Sequence, residues 1–151
     1  MYRSSGKGGS VMTKNVMKLK CRGLITGTAE GEAIVSKEAI CFYLCDPQNG
    51  ELLDKNHHLK GRSLARKVLL LTSGKGSSVV QLDGLYQMKE QDNLPLALIV
   101  RDPEPVLVSS VYVVGIPLVD RVEKDPYQVI EDGDWVKVDG DKGEIIITKK
   151  E

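Results

Sequence analysis

The chain has 151 residues, with 21 Lys and Arg against 21 Asp and Glu, so its formal net charge is zero. That length suits one domain with a real core, and neutrality removes any general attraction to nucleic acid or anionic lipid. No apolar run approaches the roughly 18 to 20 residues a bilayer span needs, and the basic N-terminus lacks the apolar segment of a secretory signal; a cytoplasmic protein with no nucleic-acid or membrane partner is expected.

Residues 1–16 are rich in Ser, Gly and Lys without apolar periodicity and read as a disordered lead, leaving 17–151 as the folded domain. "KLKCRGLITG" and "EGEAIVSKEAI" predict opening strands punctuated by Gly23, Gly27 and Gly31. Glu30 and Glu32 form a candidate carboxylate pair, although exposed strand glutamates beside a bulge are the commoner case. "CFYLC" carries β-favouring residues and predicts a strand. On a strand, positions four apart lie about 13 Å from each other, so Cys41 and Cys45, with Cys21, are expected to be free structural thiols.

"DPQNGELLDKNHHLKGRSLARK" has Asp-Pro and Asn-Gly turn signals and predicts an exposed connection in which His57 and His58 are solvated. Arg62 or Arg66 in it are candidates to meet an anion. "VLLLT" is a continuous apolar run, the mark of a strand covered on both faces. After the loop "SGKGSS" the apolar residues recur at near-helical spacing from Val80 to Met88, predicting one helix weakened by Gly84, with Ser77 or Ser78 at its N-cap. "PLALIV" and "VLVSSVYVV" follow as buried strands, the second partly helical, then "GIPLVD" as a short strand. The Gly-Asp-Lys-Gly turn between "WVKV" and "EIII" predicts a closing hairpin.

"GKGSS" is the stretch with chemical potential. It is not a phosphate-binding P-loop, because Leu69 stands where the first glycine belongs and Gly76 follows Lys75 where a hydroxyl residue is needed. What remains is a strand, a Gly-x-Gly turn and two hydroxyls at a helix start. Glycines let the backbone approach a ligand, and helix N–H groups beside a lysine favour an anion or a developing alkoxide. An N-cap serine on a tight turn accounts for the same residues.

Taken together, "AEGEAIVSKEAI", "LKGRSLARKVLLLTSGKGSS", "LPLALIVRDPEPVLVSSVYVVGIPLVD" and "IEDGDWVKVDGDKGEIII" resemble the small subunit, or swivel domain, of the aconitase X family. The resemblance covers Lys18 to Thr148 and implies a strand-rich, mixed α/β domain of the swivelling β/β/α type. It implies a hydro-lyase completed by an aconitase X large subunit, which holds an iron or iron–sulfur centre, with no cofactor on this chain. By that resemblance Ser77 is the base that removes the proton beside a carboxylate, and Gly74, Lys75, Gly76 and Ser78 shape the pocket for an anionic substrate. The substrate it favours is 5-phosphomevalonate, with cis-3-hydroxy-L-proline as the alternative; a non-catalytic anion-binding or assembly domain of the same fold is the competing reading. Aconitase itself has an arginine after its two serines, where this chain has Val79, so citrate or isocitrate is a poor fit.

Overall fold

The computed structural model describes residues 15–151. The predicted N-terminal lead lies almost wholly outside the described residues, and Val16 already belongs to the first strand. The described elements are eight strands, β1 (Val16–Lys20), β2 (Arg22–Ile25), β3 (Thr28–Val35), β4 (Val68–Leu71), β5 (Ala97–Val100), β6 (Leu118–Asp120), β7 (Trp135–Asp139) and β8 (Glu144–Thr148). Three helices accompany them, α1 (Ser78–Glu90), α2 (Pro105–Val114) and α3 (Pro126–Val129). None of these helices is long and apolar enough to cross a membrane.

The strands hydrogen-bond in the order β1-β8-β7-β3-β4-β5-β6-β2, and β3 is where the character of the sheet changes. Its first part, Thr28 to Glu32, pairs antiparallel with β7, whereas Ala33 to Val35 pair parallel with β4. The β4, β5 and β6 strands continue the parallel half, and β2 closes its edge in the antiparallel sense.

Strand alternation then builds two cores. Leu69, Leu71, Leu98 and Val100 face Leu85 and Met88 of α1 and Leu107 and Val111 of α2. Their neighbours Val68, Leu70, Ala97 and Ile99 face the other way, onto Val136, Val138, Ile145 and Ile147 of the β7–β8 hairpin. The parallel strands are covered on both faces, as their unbroken apolar runs require. Helices on one side and antiparallel strands on the other give the β/β/α layering.

Three expectations fail. "VLVSSVYVV" is helix α2 rather than a strand: Pro105 opens it, the Glu104 carboxylate accepts the Val106 and Leu107 N–H groups at 3.0 and 2.9 Å, and Gly115 ends it at φ 80°. Pro at the first helical position and Gly just past the last outweigh the β-branched composition. "CFYLC" is a 3-10 turn over Phe42–Leu44, not a strand. Phe42 is fully buried, and α1 sits so close over it that a Cβ on Gly84 would lie 2.5 Å from the Phe42 carbonyl carbon. The connection from 46 to 67 is only partly exposed, since Leu52, Leu59 and Leu64 enter the helix-side core and His57 is buried with them.

Candidate functional site

The buried strand β4 delivers the chain to the loop. There Ile40 donates to the Ser73 carbonyl (3.0 Å) and accepts from the Lys75 N–H (3.1 Å), which pins the loop to the segment leaving β3. Gly76 takes φ 111°, a left-handed conformation that side chains rarely adopt. The turn it permits places Ser77 at the N-cap of α1, where Ser77 Oγ accepts the Val80 N–H at 3.3 Å.

The loop is held from behind by Gln81. This side chain is buried, and its Nε2 donates to the Gly76 carbonyl at 2.8 Å and to Glu104 Oε1 at 3.0 Å. Glu104 is the residue that caps α2, so one amide ties the loop, α1 and α2 together. Gly74 is buried, and a Cβ there would collide with Gln81 Oε1 and press on Leu107. Its lack of a side chain is thus demanded by packing.

Lys75, Gly76, Ser77, Ser78 and Val79 form an exposed ridge. The Lys75 ammonium lies 3.4 Å from Asp54. The Asn56 backbone N–H and the Lys75 charge hold the Asp54 carboxyl below its usual range, against the opposing effect of burial. The ridge presents a hydroxyl, a helix N-terminus and a partly neutralised cation on one open surface. That arrangement suits contact with a ligand carried by a second body.

Beside the ridge an open cleft of about 750 Å³ begins at Thr72. Its origin is topological. After β3 the chain runs through the 38–66 segment in the helix layer, whereas after β6 it crosses through α3 into the antiparallel layer. A crevice opens between them, outside the C-terminal ends of the parallel strands, where open α/β sheets bind ligands. Val35 and Thr72 line it, with His58 and Arg62 on one wall and Tyr127 and Asp132 on the other. The Tyr127 hydroxyl donates to the Ser36 carbonyl at 2.5 Å, and its own pKa is pushed up to about 12 by burial.

The remaining sequence candidates fall into structural roles. His57 is buried, not solvated: Ser36 Oγ, which donates to the Glu38 carbonyl, lies 3.3 Å from Nε2, while Nδ1 accepts the Leu59 N–H at 3.0 Å. The neutral ring therefore carries its proton on Nε2, and burial keeps its pKa below the usual value. Glu38, His57 and His58 have ligand atoms within 4.8 Å of one another, but both His57 nitrogens are already engaged. Glu30 accepts from the Trp135 indole at 2.8 Å and Glu32 lies 3.7 Å from Lys67, so each is engaged with a different partner. Arg62 meets Asp132 at 3.4 Å at the rim of the cleft, while Arg66 pairs with Asp92 at 3.0 Å.

The cysteines do not fit an iron–sulfur centre. All three are free thiols, and among the described residues no potential ligand group contains a cysteine. Burial pushes the Cys45 thiol up to about 12, and burial with nearby carboxylates pushes Cys21 up to about 11. Sequence reading missed Gln81, Glu104 and Asp54, the residues that hold the loop; a lone polar residue on an apolar helix face is the only signal Gln81 gives.

A β/β/α domain whose exposed serine caps a helix behind a Gly-Lys-Gly turn defines a swivel-type domain. The chain belongs to the aconitase X family: the aconitase X swivel domain matches residues 18–147. It is 39% identical over 135 residues to the phosphomevalonate dehydratase small subunit of Methanosarcina mazei, covering 89% of this chain and 93% of that one. The protein of the same name from Methanothermobacter thermautotrophicus is 38% identical over 130 residues, 85% of this chain and 98% of that one. Among solved structures, holo-form aconitase X of Thermococcus kodakaraensis superposes with a TM-score of 0.79 at 35% identity, over 88% of this chain and 99% of that chain.

Proposed function

We propose that the chain is the small subunit of a heteromeric hydro-lyase that dehydrates 5-phosphomevalonate, with Ser77 as the base. The observation that carries this reading is the position of Ser77, exposed on the ridge yet hydrogen-bonded through Oγ to the first turn of α1. The relatives named as phosphomevalonate dehydratase small subunits support the substrate.

A serine hydroxyl is a weak base unless its oxyanion is stabilised. The Val80 N–H already points at Oγ, and such a bond strengthens as negative charge collects there. The Ser77 alkoxide takes the proton from the carbon beside the substrate carboxylate and becomes the hydroxyl, while the hydroxyl on the neighbouring carbon takes up a second proton, from an acid of the large subunit, and departs as water; Ser77 then releases its proton to solvent. Gly76 and Ser78 shape the ridge around this oxygen, Lys75 adds positive potential, and Gly74 seats the loop. The large subunit, carrying an iron or iron–sulfur centre, belongs to the proposal as the body that covers the ridge and excludes water.

Anaerobic reconstitution of the chain with the large subunit of its own organism tests this, with 5-phosphomevalonate and cis-3-hydroxy-L-proline supplied separately. Water loss from 5-phosphomevalonate by the complex, and by neither subunit alone, is the expected outcome. A complex inert towards both substrates would favour a binding or assembly role.

A further inference from the structure

The cleft beside the serine ridge is lined by Lys37, Arg62 and Arg101 against Asp125, Glu131 and Asp132, balanced in formal charge but not in how closely each group is paired. Each of the three carboxylates has a partner, although Asp125 and Glu131 remain exposed. Asp125 accepts the Tyr127 N–H at 3.0 Å, Asp132 accepts the Val35 N–H at 2.7 Å and meets Arg62, and Glu131 pairs with Lys149 at 3.3 Å. The cations are less fully committed. Lys37 lines the cleft with no carboxylate within 4.0 Å among the described residues, and it is exposed. Arg101 is paired only with its sequence neighbour Asp102, at the surface. Thr72 contributes a hydroxyl to the lining.

The backbone fixes this set at the C-terminal ends of three adjacent strands. Lys37 follows β3, Thr72 follows β4 and Arg101 follows β5, in a row along the parallel half of the sheet. His58 closes the row from the loop side, its Nε2 accepting the Lys37 N–H at 2.9 Å, which leaves Nδ1–H as the ring's donor. An ammonium without a carboxylate partner among the described residues, a guanidinium, a hydroxyl and an imidazole N–H are the donors an oxyanion accepts from. Thr72 stands five positions before Ser77 on the same strand-to-helix connection, so one end of the cleft lies on the segment that leads to the ridge.

We propose that this cleft seats the phosphate of the substrate, with Lys37 as its principal charge partner and Arg101 and Thr72 beside it, while the carboxylate end lies at Ser77. This rests on the dehydratase reading for the identity of the substrate, but the phosphate site itself makes a separate prediction. Losing one charge-assisted contact to a phosphate is worth about 10- to 100-fold in affinity.

The test compares wild type and Lys37→Met in the reconstituted complex, using 5-phosphomevalonate and the same hydroxy acid without its phosphate. The expected result is a KM for the phosphorylated substrate raised about 10- to 100-fold with kcat little changed, and no change in kcat/KM for the unphosphorylated acid. An unchanged KM, or equal losses on both substrates, would overturn the assignment while leaving the dehydratase reading in place. In parallel, glycerol 3-phosphate is titrated into the full chain and followed by backbone amide shifts, which should move at Lys37 and Thr72 in wild type and stay still in Lys37→Met. If the complex is inert towards 5-phosphomevalonate but these amides shift, the phosphate site stands and the substrate reading falls. Absence of shifts with an inert complex overturns both.

Discussion

The Gln81 side chain donates to the carbonyl of Gly76 at 2.8 Å, joining the first turn of α1 to the residue that immediately precedes the candidate base. This amide is buried and simultaneously bonded to the Glu104 carboxylate, while its own Oε1 has no partner. An under-satisfied buried group persists where it holds geometry that matters.

Gln81→Leu keeps the size of the side chain but abandons the Gly76 carbonyl and the Glu104 carboxylate. Leaving buried acceptors unpaired costs about 1 to 3 kcal/mol, and a small displacement of a reacting group costs up to about 100-fold in rate. We expect kcat in the reconstituted complex to fall about 10- to 100-fold with a smaller change in KM. Steady-state kinetics beside thermal melts of the variant check this; wild-type kcat at lowered stability would show that Gln81 is purely structural.

Gly84→Ala separates helix propensity from packing. Propensity alone predicts a gain of about 1 kcal/mol for alanine inside a helix. The close approach of the Phe42 and Tyr43 backbone predicts the opposite, a loss of about 1 to 3 kcal/mol from overpacking. Urea unfolding of the two proteins decides the sign.

Asp134 is fully buried and takes a salt bridge from Lys149 at 2.5 Å together with the Glu131 and Lys150 N–H groups at 2.8 and 3.0 Å. Burial alone would raise its pKa; the Lys149 hydrogen bond and the two backbone donors more than offset that and hold the carboxyl below its usual value. A depressed folded-state pKa means that its stabilisation is present above the unfolded value of about 3.9 and is lost as pH falls through the folded one. Melting temperature should therefore decline below about pH 4. Asp134→Asn should lower stability at neutral pH by about 2 to 4 kcal/mol and flatten the acid decline, as pH-dependent calorimetry of both proteins would show.

Cys45 is buried with its thiol pushed up to about 12. Alkylation with iodoacetamide at pH 8 should leave Cys45 unmodified in the folded protein and label it on unfolding, read by mass spectrometry. Rapid native labelling would contradict the buried, protonated thiol.

Much of this architecture is written locally. The unbroken apolar runs of β4 and β5, the glycine turn of the C-terminal hairpin and the Ser77 cap each depend on neighbours in sequence, and each is where the pattern puts it. Helix α2 is harder because Val and Tyr at β-favouring density mask the helical burial of Leu107, Ser110, Val111 and Val114; only its end signals, Pro105 and Gly115, betray it. The 3-10 turn at Phe42 owes its form to α1, which arrives more than thirty positions later in the chain. The site shows the same division. Ser77 and its glycines stand out in the sequence, but Gln81, Glu104 and Asp54 act through contacts across the fold. The cleft exists only because segments 38–66 and 121–134 leave the sheet on opposite faces.

The most direct test of the account is Ser77→Ala in the complex reconstituted with the large subunit. Alanine removes the hydroxyl and the N-cap bond, which costs about 1 kcal/mol of stability, too little to prevent folding or assembly. The account predicts an intact complex whose dehydration of 5-phosphomevalonate falls by about 100-fold or more. A complex that assembles normally and retains turnover within about threefold of wild type, a difference below 1 kcal/mol in barrier, would contradict the assignment of Ser77 as the base.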